Sequence, residues 1–101
     1  MKSLIQVPIN QFQLAILLND EQKQIYKFML DEGVFCTQCG DIAANGIEVK
    51  EIYLTNLNDI MVRGTCNVCK GKVARVIEFG EEKAFYEKAN DFRKIIKPCS
   101  A

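Results

Sequence analysis

The chain has no histidine and no tryptophan, only two prolines and six glycines, and no surplus of charge, since thirteen basic side chains cancel thirteen acidic ones over 101 residues. Without histidine, acid–base catalysis near neutral pH loses its usual carrier. No glycine-rich phosphate loop or nucleophile motif takes its place. Zero net charge also removes the long-range field that would draw the molecule to nucleic acid or a membrane surface, so any such attraction must come from a local patch. No run approaches the roughly 18 apolar residues needed to cross a bilayer. The opening stretch "MKSLIQVPINQFQLAILLND" is broken by Gln6, Pro8, Asn10, Gln11 and Gln13 and lacks a small-x-small cleavage site after Leu18. It therefore reads as folded protein and not as a secretory signal. Low-complexity tracts, linkers and internal repeats are missing too, which leaves one domain spanning 1–101.

What is present reads as helices at both ends with strands between. Residues 2 to 9 lean toward β structure, broken at Pro8, and the apolar run at 10 to 18 fits a short helix or a buried strand equally. Asn19 or Asp20 can cap a helix over about 20 to 32, with Ile25, Phe28 and Met29 on one face and Gly33 past its end. Asn45-Gly46 is a turn signal. "IEVKEIYLT" and "DIMVRGT" then read as two β arms joined at "NLND", and "KVARVIEF" as a third strand. From Glu81 to Lys97, Ala84, Phe85, Ala89, Phe92 and Ile96 recur at helical spacing, with Arg93, Lys94 and Lys97 at the end and Pro98 as a stop. An α+β domain with a small antiparallel sheet follows. Its parts are an N-terminal helical segment at 1–33, a core at 34–80 and a C-terminal amphipathic helix at 81–97.

Five cysteines carry the chemistry. An odd number is awkward for a secreted disulfide framework and points to reduced thiols in the cytoplasm. Cys36 and Cys39 form one C-x-x-C, Cys66 and Cys69 another, with 26 residues between the pairs. Two intervening residues let the chain turn tightly enough to bring both sulfurs to one ion at about 2.3 Å. Gly40 after the first pair and Gly71 near the second can each supply the positive φ that such a knuckle often needs. Four soft thiolates select one structural Zn2+ over magnesium or calcium. Four buried thiols acting as small hydrophobes, or a thioredoxin-like redox pair, are the competing readings; the latter expects a βαβ context that is missing. Cys99, after Pro98, is expected to be an exposed thiol and no ligand.

The span from Cys36 to Phe79, with "CTQC", a hairpin, "CNVC" and a following strand, resembles a zinc ribbon, a family of small four-cysteine modules found in transcription factors, ribosomal proteins and many bacterial proteins. The resemblance implies that Cys36, Cys39, Cys66 and Cys69 are the metal ligands and that Gly40 fills the small-residue position after the first knuckle. Lys70 stands in the corresponding place of the second. Rubredoxins, which hold iron between two such pairs, look like Cys-x-x-Cys-Gly at both knuckles, and Lys70 departs from that pattern.

Four thiolates fill the coordination sphere and leave no position for water, so the metal is read as structural and the chain as non-enzymatic. Residues 60 to 77 contain Arg63, Lys70, Lys72 and Arg75 and no acidic residue. These cations either contact phosphate or offset the net charge of about −2 on a zinc–tetrathiolate centre. Tyr26 and Tyr53 could stack bases, though core packing accounts for them as well. A protein partner is the first expectation, a nucleic-acid-associated ribbon using the four cations the second, and a thiol redox switch the third.

Overall fold

Asparagine starts two helices of this chain. In the computed structural model, which describes residues 5–43 and 45–95, Asn10 accepts a hydrogen bond from the Gln13 N–H at 2.8 Å while the Gln13 side chain accepts from the Asn10 N–H at 2.9 Å. Asn19 and Gln22 repeat the arrangement at the same distances. Each reciprocal box satisfies two donors that a helix start leaves unpaired. Helix α1 therefore runs over Gln11–Leu17 and α2 over Asp20–Glu32. The box resolves the segment at 10 to 18 as helix.

The strands are β1 (Val7–Ile9), β2 (Phe35–Cys36), β3 (Asp41–Ile42), β4 (Ile47–Leu54), β5 (Ile60–Cys66) and β6 (Lys72–Ile77). A 3-10 turn at Phe79–Glu81 leads into α3, Lys83–Ile95. Four strands form an antiparallel sheet in the order β1-β4-β5-β6, and β2 with β3 forms a separate two-stranded ribbon. The fold is α+β, as the pattern of arms and helices predicts, but β1 does not break at Pro8. Proline lies opposite Tyr53 in an edge strand, where a missing N–H need not cost a ladder bond. Among the described residues no helix is long and apolar enough to cross a membrane.

Alternation along the strands gives the sheet two unlike faces. Ile52 and Leu54 of β4, Ile60 and Val62 of β5 and Ile77 of β6 are buried under Leu14, Leu17, Phe85, Ala89 and Phe92 of the helices. Tyr53, Met61 and Val76 line up on the other face, with Glu51, Arg63 and Ala74 in the next row. Among the described residues no helix covers that face, a usual arrangement for an antiparallel sheet. Helix α2 turns a different stripe inward from the one its apolar residues suggest. Gln22, Tyr26, Met29 and Leu30 are buried or half-buried, whereas Ile25 and Phe28 are exposed, Phe28 to 58%. The inward stripe keeps helical spacing but begins with a glutamine already engaged in the capping box, so hydrophobicity alone selects the wrong side.

At the end of the sheet remote from the cysteines, the loop between β4 and β5 is held by side chains of α3. Asn58, fully buried and at φ 60°, donates to the Tyr86 carbonyl at 3.2 Å and to Asn90 Oδ1 at 3.0 Å. Arg93 donates from Nε to Asn58 Oδ1 at 2.8 Å and from its terminal nitrogens to the carbonyls of Ile5 and Thr55, each at 2.5 Å. Read from sequence, Arg93 is a helix-end charge; in the fold it is a tie. The stop at Pro98, with Ile96, Lys97 and Cys99, lies outside the described residues.

Candidate metal centre

Each cysteine pair closes a turn of the same shape. The Gly40 N–H donates to the Cys36 carbonyl at 2.9 Å, and the Lys70 N–H to the Cys66 carbonyl at 2.8 Å. The residue after the second cysteine is left-handed in both turns, Gly40 at φ 73° and Lys70 at φ 64°. Lys70 thus adopts the conformation itself, and Gly71 is not needed for it. Gly71 serves the approach of the two knuckles instead. A Cβ there would stand 2.5 Å from Gln38 Oε1 of the first knuckle and 3.3 Å from Cys69 Sγ. Asn67 ties the second knuckle to the turn that the sequence predicts at Asn45-Gly46, its side chain donating to the Asn45 carbonyl at 2.9 Å and its N–H to the Gly46 carbonyl at 3.1 Å.

These turns bring the four sulfurs of Cys36, Cys39, Cys66 and Cys69 within 4.8 Å of one another. Cys36 lies 3.4 Å from Cys69 and Cys39 lies 3.8 Å from Cys66, sulfur to sulfur. A tetrahedron with metal–sulfur bonds of about 2.3 Å has edges of about 3.8 Å, so the cage has the size of a tetrathiolate site. Cys36 and Cys66 are fully buried in a small cluster with Val34, Ala43 and Val73, while Cys39 and Cys69 are exposed. The ribbon and the end of the main sheet thus meet through the sulfurs.

Backbone N–H groups sort the thiols. The N–H groups of Cys69 and Val68 turn toward Cys66 and lower its pKa to about 7, the Val68 nitrogen standing 3.4 Å from the sulfur. Cys39 is pushed up to about 12, first by its hydrogen bond to Cys69 and then by desolvation. Cys69 accepts from the Gly71 N–H at 3.4 Å, which pulls its pKa down, but the hydrogen bond with Cys36 and desolvation outweigh that and leave it raised. The backbone N–H groups thus favour the charged form of Cys66.

The basic residues divide between surfaces. Arg63 sits on the open face over the Tyr53 ring, 5.5 Å from its centroid, and Lys72 lies on the same face opposite Thr65. Lys70 belongs to the exposed knuckle. Arg75 pairs with buried Val62, hence lies on the helix-covered side, half-buried and, among the described residues, with no hydrogen-bond partner for Nε. Tyr26 is half-buried, and burial raises its pKa. Gln38, Asn67, Asn58 and Arg93 are the positions that motif reading overlooks, because their partners are distant in sequence. In comparisons with protein-family models, curated proteins and solved structures, the chain has no match.

Proposed function

We propose that the chain is a non-enzymatic module in which one Zn2+, held by Cys36, Cys39, Cys66 and Cys69, clamps the ribbon to the end of the sheet, and that the clamped surface docks another protein in the cytoplasm. The convergence of the four sulfurs within 4.8 Å carries the metal reading. Zinc supplies folding energy there and, with four thiolates bound, has no open position for substrate. Elemental analysis is expected to find about one equivalent of zinc per chain, and stoichiometric iron with its red colour would replace zinc in this reading. Exposed apolar side chains support docking. Phe35, 54% exposed, and Ile42 are register partners on the ribbon, and Val68 stands on the adjoining knuckle. Apolar side chains gathered at one end of a small domain mark a contact surface. Replacing Phe35 and Ile42 with serine should remove a partner that co-purifies with the wild-type chain while zinc content stays unchanged. Nucleic acid is the second reading, favoured by Arg63 and Lys72 sharing the open face.

A further inference from the structure

The solvent side of the sheet holds a trough of about 550 Å³ that the metal centre does not use. Three strands line it, with Lys50 and Glu51 from β4, Arg63 and Thr65 from β5, and Lys72 and Ala74 from β6. Its volume falls within the roughly 300–1,000 Å³ of ligand-binding clefts. One carboxylate of this face is already engaged, Glu48 pairing with Lys50 at 3.2 Å, and Glu51 stands in the row next to Tyr53. Arg63, although opposite Glu51 in register, lies over the Tyr53 ring instead. Neither Arg63 nor Lys72 makes an ion pair among the described residues. A guanidinium laid on an aromatic face keeps its N–H edge free to hold a carboxylate by two parallel hydrogen bonds.

The charge count separates the possible anions. Two unpaired cations beside two carboxylates offer little to a phosphate chain, for which two contacts give a salt slope of only about −1.4 to −1.8. They suit a ligand with few, localised negative charges. Apolar surface continues from Ala74 to Val76 and Met61 on the same face, and β6 ends the sheet. An extended chain lying along an edge strand gains main-chain hydrogen bonds and sets alternate side chains on the face.

We propose that this trough binds an acidic, extended peptide segment of a partner protein, a carboxylate on Arg63 and Lys72 and apolar side chains over Ala74 and Val76. The proposal rests on the protein-docking reading and adds to it a surface separate from Phe35 and Ile42. The test titrates the zinc-loaded full chain into a fluorescein-labelled octapeptide of alternating aspartate and leucine, at about 150 mM salt, followed by anisotropy. Saturable binding is expected, weakened at least about tenfold by the double change Arg63→Ala, Lys72→Ala and unmoved by Lys27→Ala, Lys88→Ala, which removes the same charge elsewhere. Both variants should keep the wild-type zinc content and melting temperature. No saturation by about 1 mM peptide overturns the proposal. So do equal weakening in the two variants, equal binding of a lysine–leucine peptide, and tighter binding of labelled decathymidylate. If these outcomes appear while the Phe35 and Ile42 substitutions still remove a partner, the trough assignment falls and the docking reading stands.

Discussion

Gly40 and Lys70 hold the same left-handed backbone at equivalent points of the two knuckles, and only one of them is glycine. A side chain in that conformation costs about 1–2 kcal/mol, partly offset when glycine gives the unfolded chain more freedom. Lys70→Gly is therefore expected to stabilise the zinc-loaded protein by about 0.5–1 kcal/mol, and Gly40→Ala to destabilise it by about 1 kcal/mol, in denaturant titrations. An added Cβ at Gly40 meets nothing within 4 Å, so the second change reports backbone strain alone. The sulfurs give a residue-scale pH effect. Binding a metal displaces protons from thiols, so affinity falls as pH falls. Cys66, lowered to about 7, is already a thiolate above that pH and must also lose its proton below it. Apparent zinc affinity, measured by chelator competition, should drop more steeply per pH unit below about 7 than above it. A constant slope across pH 7 would show that the backbone N–H groups do not hold the Cys66 thiol low.

At the scale of elements, the caps and the α3 tie hold what the cysteine cage does not touch. Asn10→Ala and Asn19→Ala each remove a capping box and should cost about 1 kcal/mol. Asn58→Ala should cost more, about 2–4 kcal/mol, because it leaves Arg93 Nε without its acceptor and puts a non-glycine, non-asparagine residue at φ 60°. Equal losses at the three positions would show that the loop between β4 and β5 is not anchored as described. The β arms and α3 were legible in the chain because alternation and helical spacing are local signals. The inward side of α2 was not, since its stripe starts at a polar residue engaged by a neighbouring backbone group. Nor was the anchoring role of Arg93, whose acceptors lie at residues 5, 55 and 58.

Over the whole molecule, the two apolar clusters divide the stability. The larger one takes residues from Ile9 to Phe92 and none of the four ligands, whereas the smaller one is built around Cys36 and Cys66. Removing zinc should therefore open the molecule from one end. Hydrogen exchange after chelation is expected to show lost protection in β2, β3 and the ends of β5 and β6 next to the knuckles, with β4 near Leu54 and α3 still protected. Uniform loss across the chain would mean that the larger cluster cannot stand without the metal. Cys36→Ser should reproduce the chelated pattern, because a lost thiolate ligand opens the same cage.

The sequence alone picked out the two cysteine pairs that converge, the β arms and terminal helix, and the turn at Asn45-Gly46, each of which depends on spacings of a few residues, while the helix at 10 to 18 and the ribbon of β2 and β3 waited for the structure. Tertiary structure decided which charges share a surface. Arg63 and Arg75 look equivalent in a stretch free of acidic residues, yet register sets Arg75 opposite Val62 and Arg63 opposite Ala74. Side chains in a strand alternate between faces, so a shift of one residue would exchange them. The register between β4 and β5 shifts once, between Val49 and Glu51, and that irregularity lets Glu51 face Arg63 while Ile52 faces Val62. Such pairing is settled by contacts between distant segments, which no local pattern encodes.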